Sequence, residues 1–148
     1  MDKTKIKIIK DWQNREKDAQ ELHNDSKLWL SEIDFISDEI RFLEHLLSAK
    51  YIDCLSAGLY QKIEEFVYKI SEQKKVGEKI RIVINGQEKI LLDLIQKNNV
   101  TSNKNYLENH KKLEFEVNYY SKKYKRLKRQ IFEIVENVMK NKDRKKLV

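Results

Sequence analysis

An all-α fold, an elongated antiparallel up-down-up bundle of three long helices with coiled-coil-like heptads, is the architecture this chain predicts. Three observations point to it. The 148 residues include no proline and only three glycines. Average usage would place about seven prolines in such a length, and turn-rich β folds need many more residues able to take positive φ. Apolar residues recur in alternating steps of four and three, the spacing that lines one side of a packed helix. Two breaks in that rhythm then divide the chain into three segments of similar length, which suits antiparallel neighbours joined by short connections. The length fits one domain spanning 1–148, and 40% hydrophobic residues are enough for a core rather than disorder.

The first segment, 4–48, carries its stripe on Ile8, Trp12, Arg15, Ala19, Leu22, Ser26, Trp29, Ile33, Ile36, Ile40, Leu43 and Leu47. Within it, Asn24-Asp25-Ser26 reads as a helix N-cap that can divide an arm from a main helix. The first break falls near Ala49-Lys50. The second segment, 51–98, continues through Ile52, Ser56, Leu59, Ile63, Phe66, Ile70, Gln73, Gly77, Ile80, Ile84, Gln87, Leu91 and Leu94. Its phase survives both Gly77 and Gly86, which favours a continuous helix.

Two alternatives to that continuity exist. A break near Gly77 would make a four-helix bundle. Asn85-Gly86, between Ile84 and Ile90, is a hairpin signal, although an isolated two-stranded ribbon is marginal in water. The second break, Asn98–Asn103, offers an asparagine to end one helix and Thr101 or Ser102 to start the next. The third segment, 103–147, places Tyr106, His110, Leu113, Val117, Tyr120, Tyr124, Leu127, Ile131, Ile134 and Val138 on its stripe. Each segment would span roughly 65–70 Å as a helix.

Matching levels along alternating helices puts position 26 near 74 and 124. Ser26, Gln73 and Gly77 would then face Tyr120 and Tyr124. This reads as large-to-small packing, with the tyrosine hydroxyls reaching Gln73, Ser26 or water. The functional alternative is a polar waist that binds something or lets the rod bend.

Motifs for chemistry are sparse. A single cysteine, Cys54, allows neither an intrachain disulfide nor a cysteine zinc cluster, and no base accompanies it to make a reactive thiol. No HExxH, P-loop, GxGxxG, nucleophile elbow or CxxC is present. Of the histidines, His23 has Glu21 and Asp25 on different helix faces, His45 reads as solvent-facing, and His110 reads as a partly buried core residue. The level matching also separates the three, against a shared metal site. Asp34 and Asp38, Glu64-Glu65 and Asp38-Glu39 are carboxylate pairs of the kind found on solvated faces, with no sheltering cleft implied. The expectation is a non-enzymatic protein with no catalytic residue, cofactor or metal. The apolar runs are too short for membrane insertion, and the N-terminus lacks a signal-peptide core, so a cytoplasmic location is expected.

Two surfaces remain. Leu28, Phe35 and Phe42 recur every seven residues beside the main stripe, with Leu46 adjacent, and mark a candidate interface for a protein partner or a second copy of the chain. The second surface is electrostatic. The net charge of +7 is concentrated in residues 103–148, with fourteen Lys and Arg against six Asp and Glu. Within that stretch, Lys122, Lys123, Lys125, Arg126, Lys128 and Arg129 form a candidate contact for polyanions such as the RNA or DNA backbone. The leading functional expectation is a scaffold or protein-interaction module, and the alternative is polyanion binding through the third helix.

Overall fold

The computed structural model describes residues 17–100 and 103–147. Helix α1 (Ala19–Ala49) begins where the Asp18 carboxylate accepts a hydrogen bond from the Glu21 backbone N–H at 2.9 Å. This cap satisfies one of the donors that a helix start leaves unpaired. The helix expected over 4–48 therefore starts at Ala19 in the described region, and Ile8, Trp12 and Arg15 lie outside the described residues. Asn24-Asp25-Ser26 caps nothing, because Asp18 has taken that role and all three residues are helical.

The helix expected over 51–98 is broken. Helix α2 (Tyr51–Ser56) stops at Gly58, whose φ is +77°. Around it, Leu59 N–H donates to Cys54 O and Gly58 N–H to Leu55 O, both at 3.0 Å. That paired arrangement ends helices on a left-handed residue, usually glycine because a Cβ is disfavoured there. The heptad phase fails over the same stretch: Ile52 is 75% exposed, Ser56 is exposed, and Cys54 is buried instead.

Helix α3 (Tyr60–Gln96) runs unbroken through Gly77 and Gly86, so neither the four-helix alternative nor the hairpin forms. It ends on Asn98 with φ +60°, where Asn99 N–H reaches Leu94 O at 2.9 Å and Asn98 N–H reaches Ile95 O at 3.1 Å. Helix α4 (Lys104–Leu147) is started by Asn103, whose Oδ1 accepts from Tyr106 N–H at 2.9 Å. Its 44 residues span about 66 Å.

Side-chain pairs fix the directions. His23–Glu88, Asp34–Arg81 and Glu44–Lys74 converge in sequence, so α1 and α3 are antiparallel. Between α1 and α4, Glu32 pairs with Ser121 and Glu39 with Lys128, each 89 residues apart, so these two helices are parallel. Asp53–Lys142 keeps the same offset, which shows that α2 carries the upward course past Ala49. The reversal lies at Gly58, about eight residues later than the break near Ala49-Lys50. Position 26 consequently sits near 87–88 on α3 and 110 on α4, not near 74 and 124.

Every stripe residue from Leu22 to Leu47 is buried in α1, as are Ile63 to Ile84 in α3. In α4 the stripe holds from Tyr106 to Ile131; Val135 then replaces the half-buried Ile134. The core forms two apolar clusters. The long one runs from Trp29 to Val138, and the short one contains Leu22, Leu91, Leu94, Val100, Tyr106 and Leu107.

Gly77 receives the Tyr120 ring: a Cβ there would lie 2.6 Å from the tyrosine Oη and 3.2 Å from Cζ. Tyr120 is buried, and its ring atoms as well as its hydroxyl meet that position. A Cβ at Gly86 would meet nothing within 4 Å. Gly77→Ala is therefore expected to lower stability by about 1–3 kcal/mol through overpacking. Gly86→Ala should raise it by roughly 0.5–1 kcal/mol through helix propensity. Equal responses of the two variants in urea unfolding would contradict the large-to-small packing at Gly77.

Candidate functional site

Leu28, Phe35 and Phe42 remain 56–68% exposed after the bundle has closed, whereas Leu46 is half-buried against the core. Helical spacing places these three on the outer side of the residues that meet α4, namely Asp25, Glu32 and Glu39. Phe132 comes up from α4, its ring centroid 6.2 Å from that of Phe42. The apolar line thus forms one rim of the α1/α4 groove, and α4 forms the other.

The six cations at 122–129 do not gather into one patch. Lys128 is bound to Glu39 of α1, and Lys123 Nζ lies 6.0 Å over the Tyr119 ring. Lys123 and Arg126 line the α3/α4 cleft with Glu72 and Gln73. Lys122, Lys125 and Arg129 are exposed without an ion-pair partner among the described residues. Tyr120 and Tyr124, which flank or interrupt the run, are buried.

A third feature is a polar layer between the two apolar clusters. Its buried members on the heptad stripes are Ser26 and His110, with half-buried Gln87 beside them. His110 Nε2 lies 2.9 Å from Asp25 Oδ2, and the imidazole ring stacks at 4.7 Å on Trp29 and 6.1 Å from Tyr106. Lys17 Nζ is 2.6 Å from Asp25 and 3.3 Å from Glu114. On the α3 side, His23 Nδ1 lies 2.7 Å from Glu88.

Asp25 and Lys17 both titrate away from their ordinary values in this layer. Partial burial alone pushes the Asp25 carboxyl upward, but hydrogen bonds and charge from Lys17 and His110 outweigh it and hold it below the usual carboxylate range. Burial pulls the Lys17 ammonium down, and the Asp25 and Glu114 carboxylates more than restore it. The separation of the histidines expected from level matching holds only for His45, which is exposed; the later reversal brings His23 and His110 into one layer.

At the other polar level, Gln73 and Gly77 face Tyr120 and Tyr124 without Ser26. The Tyr124 hydroxyl has the Glu39 carboxylate beside it. An apolar cleft of about 530 Å³ between α1 and α3 is lined by Leu47, Tyr51, Ile63, Val67 and Ile70, with the Glu44–Lys74 ion pair at its edge. No histidine or cysteine lines it.

Among the described residues, no helix is long and apolar enough to cross a membrane. Compared with family models, curated proteins and solved structures, the chain matches none.

Sequence reasoning missed the polar layer because its members become neighbours only once the position of the reversal is known. Ser26, Gln87 and His110 were legible separately as polar interruptions of the three stripes. Lys17, Glu88 and Glu114 lie off the stripes and carried no signal of their own.

Two titrations follow from burial. Tyr106 and Tyr120 are pushed up to about 12, first by burial, then by Glu88 and Asp25 around Tyr106, while at Tyr120 burial outweighs the opposing Arg81 charge. In the unfolded chain these phenols ionise near their ordinary value of roughly 10. Stability is thus fully present below that pH and declines as pH rises toward about 12. An alkaline absorbance titration should show buried phenols ionising together with loss of helix; ionisation near the ordinary value in the folded chain would contradict their burial. Burial, then the Asp53 charge, likewise raises the Cys54 thiol. Alkylation at neutral pH is expected to be slow in the native protein and fast in denaturant.

Proposed function

We propose that this protein is a non-enzymatic interaction module whose α1/α4 groove docks an acidic, amphipathic helix of a partner protein. The observation that carries the reading is the seven-residue line Leu28, Phe35 and Phe42, left open to solvent beside Phe132. The three-helix core closes without these side chains. A fourth helix laid along the groove would extend the same heptad packing outward, with apolar anchors at intervals of seven. Phenylalanine is among the aromatic residues enriched at the cores of protein interfaces.

Charge supports an acidic occupant. Lys122, Lys125 and Arg129 flank the α4 wall of the groove and are free of ion pairs among the described residues. Acidic residues along a docked helix would pair with them, orienting the partner and speeding encounter. The polyanion reading through residues 122–129 has less support, because Lys128 is held by Glu39 and Lys123 rests on Tyr119. Self-association uses the same rim and is the main competing occupant. A cytoplasmic setting accords with the lone, buried thiol.

The test combines crosslinking in the native cell with mass measurement of the purified chain. Crosslinks should map residues 28–42 and 122–132 to an acidic helical segment of another protein. Phe35→Glu should weaken that complex by roughly thirtyfold or more, about 2 kcal/mol, while leaving the thermal midpoint nearly unchanged. A concentration-dependent dimer abolished by Phe35→Glu would reassign the groove to a second copy. Co-purifying nucleic acid lost only on neutralising 122–129, and released steeply by salt, would transfer the function to the basic run. Crosslinks falling on neither surface would overturn the reading.

A further inference from the structure

The polar layer between the two apolar clusters is deficient in positive charge and in hydrogen-bond donors. Five of its buried polar atoms have no hydrogen-bond partner among the described residues: Ser26 Oγ, Gln87 Oε1, Glu88 Oε1, Tyr106 Oη and His110 Nδ1. An imidazole that donates from Nε2 to Asp25 carries a lone pair on Nδ1. Three of the five atoms are then pure acceptors, and the two hydroxyls can act either way. Buried acceptors without partners are costly. The charges tilt in the same direction: the carboxylates of Asp25, Glu88 and Glu114 are joined to one permanent cation, Lys17, and to two imidazoles.

From this, we infer that the layer is a binding site for one divalent first-row transition cation, with Asp25, His110 and Glu114 as its protein ligands. One donor atom from each of these residues lies within 4.8 Å of the others. One imidazole and two carboxylates form a donor set that suits Zn²⁺ and its neighbours better than Mg²⁺ or Ca²⁺, which favour all-oxygen sites. His110 is 2% exposed and its ring is held by Trp29 and Tyr106, so Nε2 is presented in a fixed direction. To ligate a cation Nε2 gives up its proton, and the neutral ring carries the proton on Nδ1 instead.

The Lys17 ammonium now bridges two of the three ligands, at 2.6 Å and 3.3 Å. It stands where a cation would bind and supplies one positive charge. The side chain is 40% exposed and precedes the Asp18 cap, so it can withdraw to water without disturbing α1. Exchange of this ammonium for a dication adds a charge to a layer that lacks one. Water would complete the coordination.

Calorimetric titration of the full chain with Zn²⁺ tests the site. The expected result is one Zn²⁺ per chain, with a thermal midpoint that climbs with the logarithm of free metal. Glu114→Gln, at a 45% exposed side chain, should fold normally and weaken binding by about tenfold or more. Lys17→Met should tighten it by roughly tenfold by removing the competing cation. His45→Ala, at the exposed histidine outside the layer, should leave affinity unchanged. X-ray absorption should report nitrogen and oxygen ligands with no sulfur, which separates this site from Cys54. No binding by the wild-type chain up to millimolar Zn²⁺, or binding that neither Glu114→Gln nor Lys17→Met alters, would overturn the inference.

Discussion

The left-handed turn at Gly58 sets the register of α1 and α2 against α3, on which the rest of the bundle builds. Its φ of +77° disfavours side chains bearing a Cβ, and the two hydrogen bonds across it fix where the upward course of α1 and α2 ends. Each residue by which the reversal is delayed slides α3 by two residues against α1. At its actual place it sets Glu88 against His23, Arg81 against Asp34 and Lys74 against Glu44. The same register sets Gln87 near the level of Ser26, while the second reversal at Asn98 sets Gly77 under Tyr120 and brings His110 to that polar layer. The groove, the layer and the division of the core follow from this connection together with the second reversal at Asn98.

The fold class and the inward faces of the helices were legible in the sequence because side-chain period is a property of the backbone. Once a segment is helical, Trp29, Ile33, Ile36 and Ile40 must share a side, and all are buried. Continuity through Gly77 and Gly86 was legible for the same reason. Gly58 was not, because Leu59 to Ile63 resumes the expected spacing and a solitary glycine is tolerated inside helices at modest cost. The clue was present in the small residues Ser56-Ala57 before it and in Cys54, whose burial fits only a different phase. The candidate rim at Leu28, Phe35 and Phe42 could be read locally. The polar layer could not, since it depends on long-range register.

The bundle treats its polar interruptions in two ways. At Gly77 the absence of a side chain is filled by the Tyr120 ring, and size complementarity resolves the mismatch. At Ser26 and His110 the Trp29 and Tyr106 rings pack on the imidazole, and charged residues from beside the stripes converge on the level. The first arrangement joins the helices into one apolar unit. The second separates the short cluster of Leu22, Leu91, Leu94, Tyr106 and Leu107 from the long one. Fewer buried apolar contacts hold that end, which makes it the natural unit of local opening.

The parallel relation of α1 and α4 also governs the order in which the chain can assemble. The α1/α3 pairs span 30 to 65 residues of sequence, whereas the α1/α4 pairs span 85 to 89. Closing the longer loop costs more chain entropy, and such non-local contacts slow folding. Two antiparallel hairpins can therefore form before the α1/α4 contact. As the chain leaves the ribosome, Phe35 and Phe42 emerge long before the helix that supplies the opposite wall. Until the last helix docks, the groove has only one side, and recognition that uses both walls reads completed folding as well as surface chemistry.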